Sequence, residues 1–210
     1  MSRCSLWLQS IYQDDKEVKT KGVRSLIKYA TLCSYMLVPT EEEEMSGAAA
    51  TYPEEILGYG PRGWCRCEWF IFSLWAEMTL QKEVLLYAIT RSGALHQYPQ
   101  VKIEGTQYMP SGGELSNPND KQIVQELEDK IIEAYGNVLA ENKCKEAEAG
   151  ATVDLANKMI RAVHVEVLGK AINEYKFQGL NLAQNQLGVT GAEKLAAVLR
   201  AGAPSLKSLK

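Results

Sequence analysis

Leu180-Asn181-Leu182-Ala183-Gln184-Asn185-Gln186-Leu187 alternates apolar and polar residues and then places an asparagine between leucines. Alternation of this kind reads as a short strand with one buried face, ending in a turn. An asparagine suits that turn because its amide offers donors and an acceptor to backbone groups that no neighbouring strand reaches. Gly188 and Gly191 follow, and then an amphipathic helical pattern over 192–200. The unit is repeated. Val153, Leu155, Ile160, Leu168 and Ile172 stand 27 residues ahead of Leu180, Leu182, Leu187, Leu195 and Leu199. Phe177 and Leu180 return 29 residues later as Leu206 and Leu209. The first copy is degenerate, with Lys158 where the second has Asn185. A fixed period of this size marks stacked supersecondary units, each of which buries its apolar face only against its neighbours.

Residues 152–210 resemble the ribonuclease-inhibitor type of leucine-rich repeat, most specifically in the second copy. The resemblance implies units of one strand and one helix each, and a concave row of strands whose exposed side chains bind protein partners. Asn181, Ala183 and Gln184, between the leucines of the second copy, are the candidate protein-binding residues. The sequence ends as a third unit opens, so the tail is expected to be the first turns of a longer solenoid.

Upstream, 142–150 is charged and alanine-rich and reads as a linker. Asn117-Pro118 fits a helix cap followed by proline in the first turn. Ile123, Val124, Leu127, Ile131, Ile132, Tyr135, Val138 and Leu139 then fall on one helical stripe. Residues 90–116 are loop-like, punctuated by Pro99, Pro110 and Gly112-Gly113. Ahead of them, strands are expected at 5–8, 35–39 and 83–89. The last two are continuous apolar runs, which suit a sheet covered on both faces. A helix after Asp14-Asp15 would bury Val18, Val23, Leu26, Ile27, Tyr29 and Ala30. Glu41 to Glu44 belong to a solvated loop. A second helix over 63–78 is apolar nearly all round and is expected to be buried on most faces. Strand, helix, strand, helix, strand predicts a parallel sheet between helices.

Composition removes several function classes. Of 210 residues 46% are hydrophobic and 23% charged, with a formal net charge of −3. A dedicated nucleic-acid binder would carry a basic excess, so no nucleic-acid partner is expected. The longest apolar stretch falls far short of a membrane span, and no secretory leader opens the sequence. Five scattered cysteines without an export signal suggest reduced thiols and a cytoplasmic location. Cys65 and Cys67 would point roughly 200° apart on one helix and cannot share a metal there. With only His96 and His164 as imidazoles, neither a zinc site nor a histidine-dependent hydrolase is expected.

Gly58-Tyr59-Gly60-Pro61-Arg62-Gly63 has G-x-G-x-x-G spacing, yet no adequate strand precedes it and Pro61 removes a donor from the turn. What it offers is a glycine turn, Arg62, and a helix start able to attract an anion. Trp64-Cys65-Arg66-Cys67-Glu68 comes next. Together with Leu6 to Leu8, Tyr29, Cys33-Ser34, Met36-Leu37-Val38 and Tyr59, it resembles the later part of a Toll/interleukin-receptor (TIR)-like domain. The match rests on Trp64, Cys65 and Glu68, because many members carry a Trp-Cys-x-x-Glu segment at the head of this helix. The resemblance implies a flavodoxin-like α/β fold and, by analogy with members that cleave NAD, a catalytic role for Glu68. Arg62 and Trp64 would be ligand-binding. Core packing is the plainer reading of Trp64, Phe70 and Trp75, and a pairing with Arg62, Arg66 or another basic group that of Glu68. The family's first strand and its loop have no counterpart here, which argues against turnover.

The expected architecture is α/β: a partial flavodoxin-like parallel sheet with flanking helices over 1–116, a helical connector and linker over 117–150, and the start of a leucine-rich-repeat solenoid over 151–210. The function it implies is that of a signalling and protein-interaction module, without cofactor or metal. The alternative is an NAD(P) glycohydrolase using Glu68. Self-association through Trp69, Phe72 and Trp75 is expected if that helix lies uncovered.

Overall fold

The computed structural model describes residues 17–18, 21–22, 25–33, 35–39, 60–78, 85–90, 92–97, 109–203 and 205–210. The strand expected at 5–8, the Asp14-Asp15 cap, Val23, the glutamate loop, and Gly58 and Tyr59 lie outside these residues. The chain is mixed α/β and forms two compact units, residues 1–103 with 108–131 and residues 104–107 with 132–210.

In the first unit, α1 (Leu26–Thr31) buries Leu26 and Ala30, whereas Ile27 and Tyr29 are half-buried and Val18 is exposed. β1 (Tyr35–Pro39) and β2 (Leu85–Ile89) pair in parallel, from Tyr35 opposite Leu85 to Pro39 opposite Ile89. Between them in sequence, α2 (Gly63–Met78) occupies the expected bounds and buries Trp69, Phe70, Ile71, Phe72 and Leu74. It packs on α1 and on a 3-10 turn at Pro110–Gly112. Of its other side chains, Trp64, Arg66, Glu68, Trp75 and Glu77 are half-buried, and none is fully exposed.

The all-parallel expectation is corrected by β3 (Leu95–Gln97), which runs antiparallel to β2. A tight turn makes the reversal. Thr90 N–H donates to Ala94 O, Gly93 N–H to Thr90 O, and Ala94 N–H to the Thr90 hydroxyl. Gly93 takes φ +85°, a conformation open to glycine without a Cβ penalty.

α3 (Asp120–Glu146) contributes its first turns to this unit and its remainder to the second. It starts two residues beyond Pro118. Asn117 sits in the turn before it, accepting Asn119 N–H on Oδ1 and donating Nδ2 to Asp120. Val124, Leu127, Ile131, Ile132, Tyr135 and Leu139 are buried as the stripe predicts, while Val138 is exposed. The helix also runs through 142–146 and buries Cys144 completely, so much of the expected linker is helix. Burying that thiol raises its pKa to about 11.

In the second unit, β4 (Thr152–Asp154), β5 (Gly179–Asn181) and β6 (Ser208–Leu209) form a parallel sheet in that order. A 3-10 turn (Ala162–His164) and α4 (Val165–Glu174) connect the first pair, and α5 (Gly188–Ala201) the second. Val153 lies opposite Leu180 and Leu180 opposite Leu209. These offsets of 27 and 29 are those of the sequence repeat. Val153, Leu155, Ile160, Leu168 and Ile172 are all buried, as are Leu180, Leu182 and Leu195, whereas Leu187 and Leu199 are half-buried. Strand starts repeat too. Ala151 O accepts the N–H groups of Gln178 and Gly179, and Gln178 O those of Lys207 and Ser208.

Candidate functional site

Two places bring the expected site residues together, one in each unit. The first is the head of α2. The segment after the 3-10 turn is threaded against it: Glu114 N–H donates to Pro61 O and Gly63 N–H to Glu114 O, both at 2.7 Å. The approach is backbone to backbone. A Cβ on Gly113 would lie 2.6 Å from Gly63 Cα, so position 113 requires glycine, whereas a Cβ on Gly63 would meet chiefly the Leu115 side chain at 2.8 Å. Buried Glu128 of α3 holds the turn from the other side, accepting Ser111 N–H at 2.9 Å and Gln125 Nε2 at 3.0 Å.

This closure commits the first N–H of the helix to a protein oxygen. It also gives 110–115 a role that its loop-like composition did not reveal. The Gly112-Gly113 pair was the available signal, but the partner of such a pair is a long-range contact with no pattern in the local sequence.

Trp64 is half-buried and donates Nε1 to Asp120 Oδ2 at 2.9 Å, which ties α2 to the start of α3. Its indole is therefore a structural fastening in this arrangement. Arg66 donates Nε to Gly60 O at 2.6 Å. Arg62 is exposed and forms no ion pair with Glu68 among the described residues. Glu68 is half-buried, and burial pushes its carboxyl up to about 7 against the opposing pull of the Arg62 guanidinium. Its pairing with Arg66 does not form. What remains is a carboxyl that is both acid and base near neutral pH, one helical turn beyond Trp64. Burial raises Cys65 to about 11, and Cys67 is raised further, so neither thiol is a nucleophile at neutral pH.

Trp69 is 1% exposed, Phe72 4%, and Trp75 half-buried. Self-association was expected only if these rings were uncovered. That condition is not met for Trp69 and Phe72, which are buried, and Trp75 is half-buried.

The second place is the turn after β5. Asn181 Nδ2 donates to Asp154 Oδ1 at 3.0 Å across the strands, and Asn181 Oδ1 accepts Ala183 N–H at 3.1 Å. Asn181 and Ala183 are half-buried, and Gln184 is exposed at φ +58°. Asn157, its counterpart 27 residues earlier, has φ +56°, so both turns use the left-handed region that asparagine tolerates better than most residues. Beneath them Asn185 is fully engaged. Its Oδ1 accepts Lys158 N–H at 3.0 Å and Ile160 N–H at 2.9 Å. Its Nδ2 reaches Leu155 O at 2.7 Å, Leu182 O at 2.9 Å and Ala183 O at 3.3 Å. The asparagine thus bridges both copies, which compensates for the lysine in the first.

Among the described residues no helix is long and apolar enough to cross a membrane, and no three His, Cys, Asp or Glu side chains gather as metal ligands would. Comparisons of the chain with protein-family models, with curated proteins and with solved structures returned no match.

Proposed function

We propose that the chain is an intracellular signalling and protein-interaction module, a TIR-like α/β part followed by leucine-rich repeats, and that it is non-catalytic and works in the cytoplasm. One observation carries this reading: the strands of the second unit pair at the repeat offsets, with one asparagine satisfying the turns of two successive copies. An array built this way presents a row of strand and turn residues whose spacing is fixed by the repeat. Asn181, Ala183 and Gln184 are the part of that row proposed to meet a protein partner. The parallel β1–β2 pair and buried α2 are consistent with the front part.

The test is affinity capture from a cell extract with the wild-type chain and with an Asn181→Ala, Gln184→Ala double variant. Both substitutions leave the leucine core intact. Specific partners are expected with the wild type and lost with the variant, while the amides of the buried Leu155, Leu168, Leu180 and Leu195 keep their hydrogen-exchange protection. Equal recovery by the two chains overturns the assignment of these residues, and recovery of nothing by either overturns the reading.

A second reading, an NAD(P) glycohydrolase, is favoured by Glu68 alone: a half-buried carboxyl with no committed partner among the described residues and both protonation forms populated near neutrality. Its carboxylate would stabilise the oxocarbenium that forms as nicotinamide leaves the ribose and water takes its place. Incubation with NAD or NADP and measurement of free nicotinamide decides it. Under the main reading none is released at high protein concentration. Release that disappears in Glu68→Gln replaces the main reading with this one.

A further inference from the structure

His164 is 0% exposed and closes the 3-10 turn that leads into α4. Its Nδ1 accepts Arg161 N–H at 2.8 Å. An accepting Nδ1 carries no proton, so the neutral ring holds its hydrogen on Nε2. That nitrogen presses on α3 where the helix has no side chain. A Cβ on Gly136 would lie 2.5 Å from both His164 Cε1 and Nε2. Nε2 falls short of a hydrogen bond, although the backbone of Ile132 and Glu133 stands close enough to favour a proton there. The imidazole is thus a wedge between the turn and α3 that fits in one protonation state.

A second proton must go to Nδ1, where it would face the Arg161 N–H it now accepts, donor against donor. The charged groups around it do little to help. Arg161 on the turn repels the cation and Glu133 on α3 attracts it, while burial opposes it most. On α4, Glu166 is exposed and paired with Lys170, and on α5 Glu193 and Lys194 are exposed.

We propose that His164 is an acid-released latch: neutral, it fastens the Arg161 turn to Gly136 of α3, and protonated it lets the turn at 161–164 and the start of α4 open. The sign follows from linkage. Burial holds the folded imidazole below its ordinary value. Below about pH 6.5 the opened segment binds a proton that the closed one resists. The opening constant then rises by up to about tenfold per pH unit as the medium acidifies, and it is insensitive to this group above that range. Overall stability is the wrong readout, because Glu68 in the other unit is shifted the opposite way and favours the folded state on acidification.

The test is native-state hydrogen exchange on the full chain, corrected for intrinsic rates, followed at the amides of 161–168 from neutral to mildly acidic pH. His164→Asn is the matched variant, since its Oδ1 can accept Arg161 N–H without titrating. In the wild type the opening constant should climb below about pH 6.5, and in His164→Asn it should stay flat. A wild-type opening constant that ignores pH, or an equal slope in the variant, overturns the latch. Should His164→Asn not fold, nitrogen chemical shifts of the wild-type ring decide the matter. A neutral ring persisting below pH 6.5 for as long as Arg161 N–H stays protected supports the proposal. An imidazolium forming at the ordinary histidine value with that amide still protected overturns it.

Discussion

Asn185→Ala is expected to destabilise the second unit by about 3 kcal/mol, a large part of the stability of an ordinary domain. The side chain engages two N–H and three C=O groups, all in the turns at 155–160 and 182–183. Alanine leaves these groups without that partner, and water reaches only some of them because the site is partly buried. Each satisfied pair contributes only about 1 kcal/mol net, whereas each group stranded in a poorly hydrated turn costs more. Leu155, Leu182 and Ile160 sit on the same turns, so disorder there also loosens the leucine core. Asn185→Asp separates amide chemistry from simple side-chain packing. Its oxygen can still accept from Lys158 and Ile160, but it turns a second acceptor toward three carbonyls, so it should be no better than alanine. Urea unfolding followed by hydrogen exchange at 152–187 reads both. Because the second unit holds no tryptophan in its sequence, tryptophan fluorescence reports the first unit separately. A loss below about 1 kcal/mol, or an aspartate as stable as the wild type, would show that the amide is dispensable.

How far the sequence announces this structure depends on the range of the interaction. α2 keeps the bounds read from its apolar run, and β1 and β2 pair in parallel as their continuous apolar character implies. The repeat offsets become strand registers, since a residue in one copy can only meet its equivalent in the next. β3 was hidden because three residues are too few to show a period, and its pairing depends on a Thr90–Ala94 turn within a polar stretch. At 142–146 the charged composition suggested solvent on all sides, yet one face carries Cys144 and Ala140 into the core. At the head of α2 the sequence leaves core packing and a ligand site as alternatives, and the packing partners themselves are not legible. Trp64 and Glu68 stand out by type, whereas Asp120, Glu128 and the Gly63–Gly113 contact act through partners distant in sequence. Gly136 and His164 belong to the same class: neither belongs to a periodic pattern, and only their meeting gives them meaning.

Gly136→Ala puts that meeting to the test. At an exposed helix position this change would stabilise by up to about 1 kcal/mol through helix propensity. Here the new Cβ would lie 2.5 Å from Cε1 and Nε2 and 2.8 Å from Cδ2 of His164. The imidazole is rigid, fully buried, and tied by Nδ1 to Arg161, so it cannot swing aside without surrendering that bond. Overpacking of a filled core costs about 1–3 kcal/mol and sometimes more. The rigid ring places this site at the upper end, and the propensity gain offsets only part of it. The expected net loss is about 2 kcal/mol, measured by urea unfolding with hydrogen exchange at 132–174. The decisive comparison is the double variant. In a His164→Ala background the ring is gone, the clash is relieved, and Gly136→Ala should become neutral or stabilising, a coupling of about 2 kcal/mol or more between two residues 28 positions apart. If the alanine costs the same in both backgrounds, the imidazole is not what requires the glycine, and the close fit of turn to helix that the acid latch depends on is wrong as well.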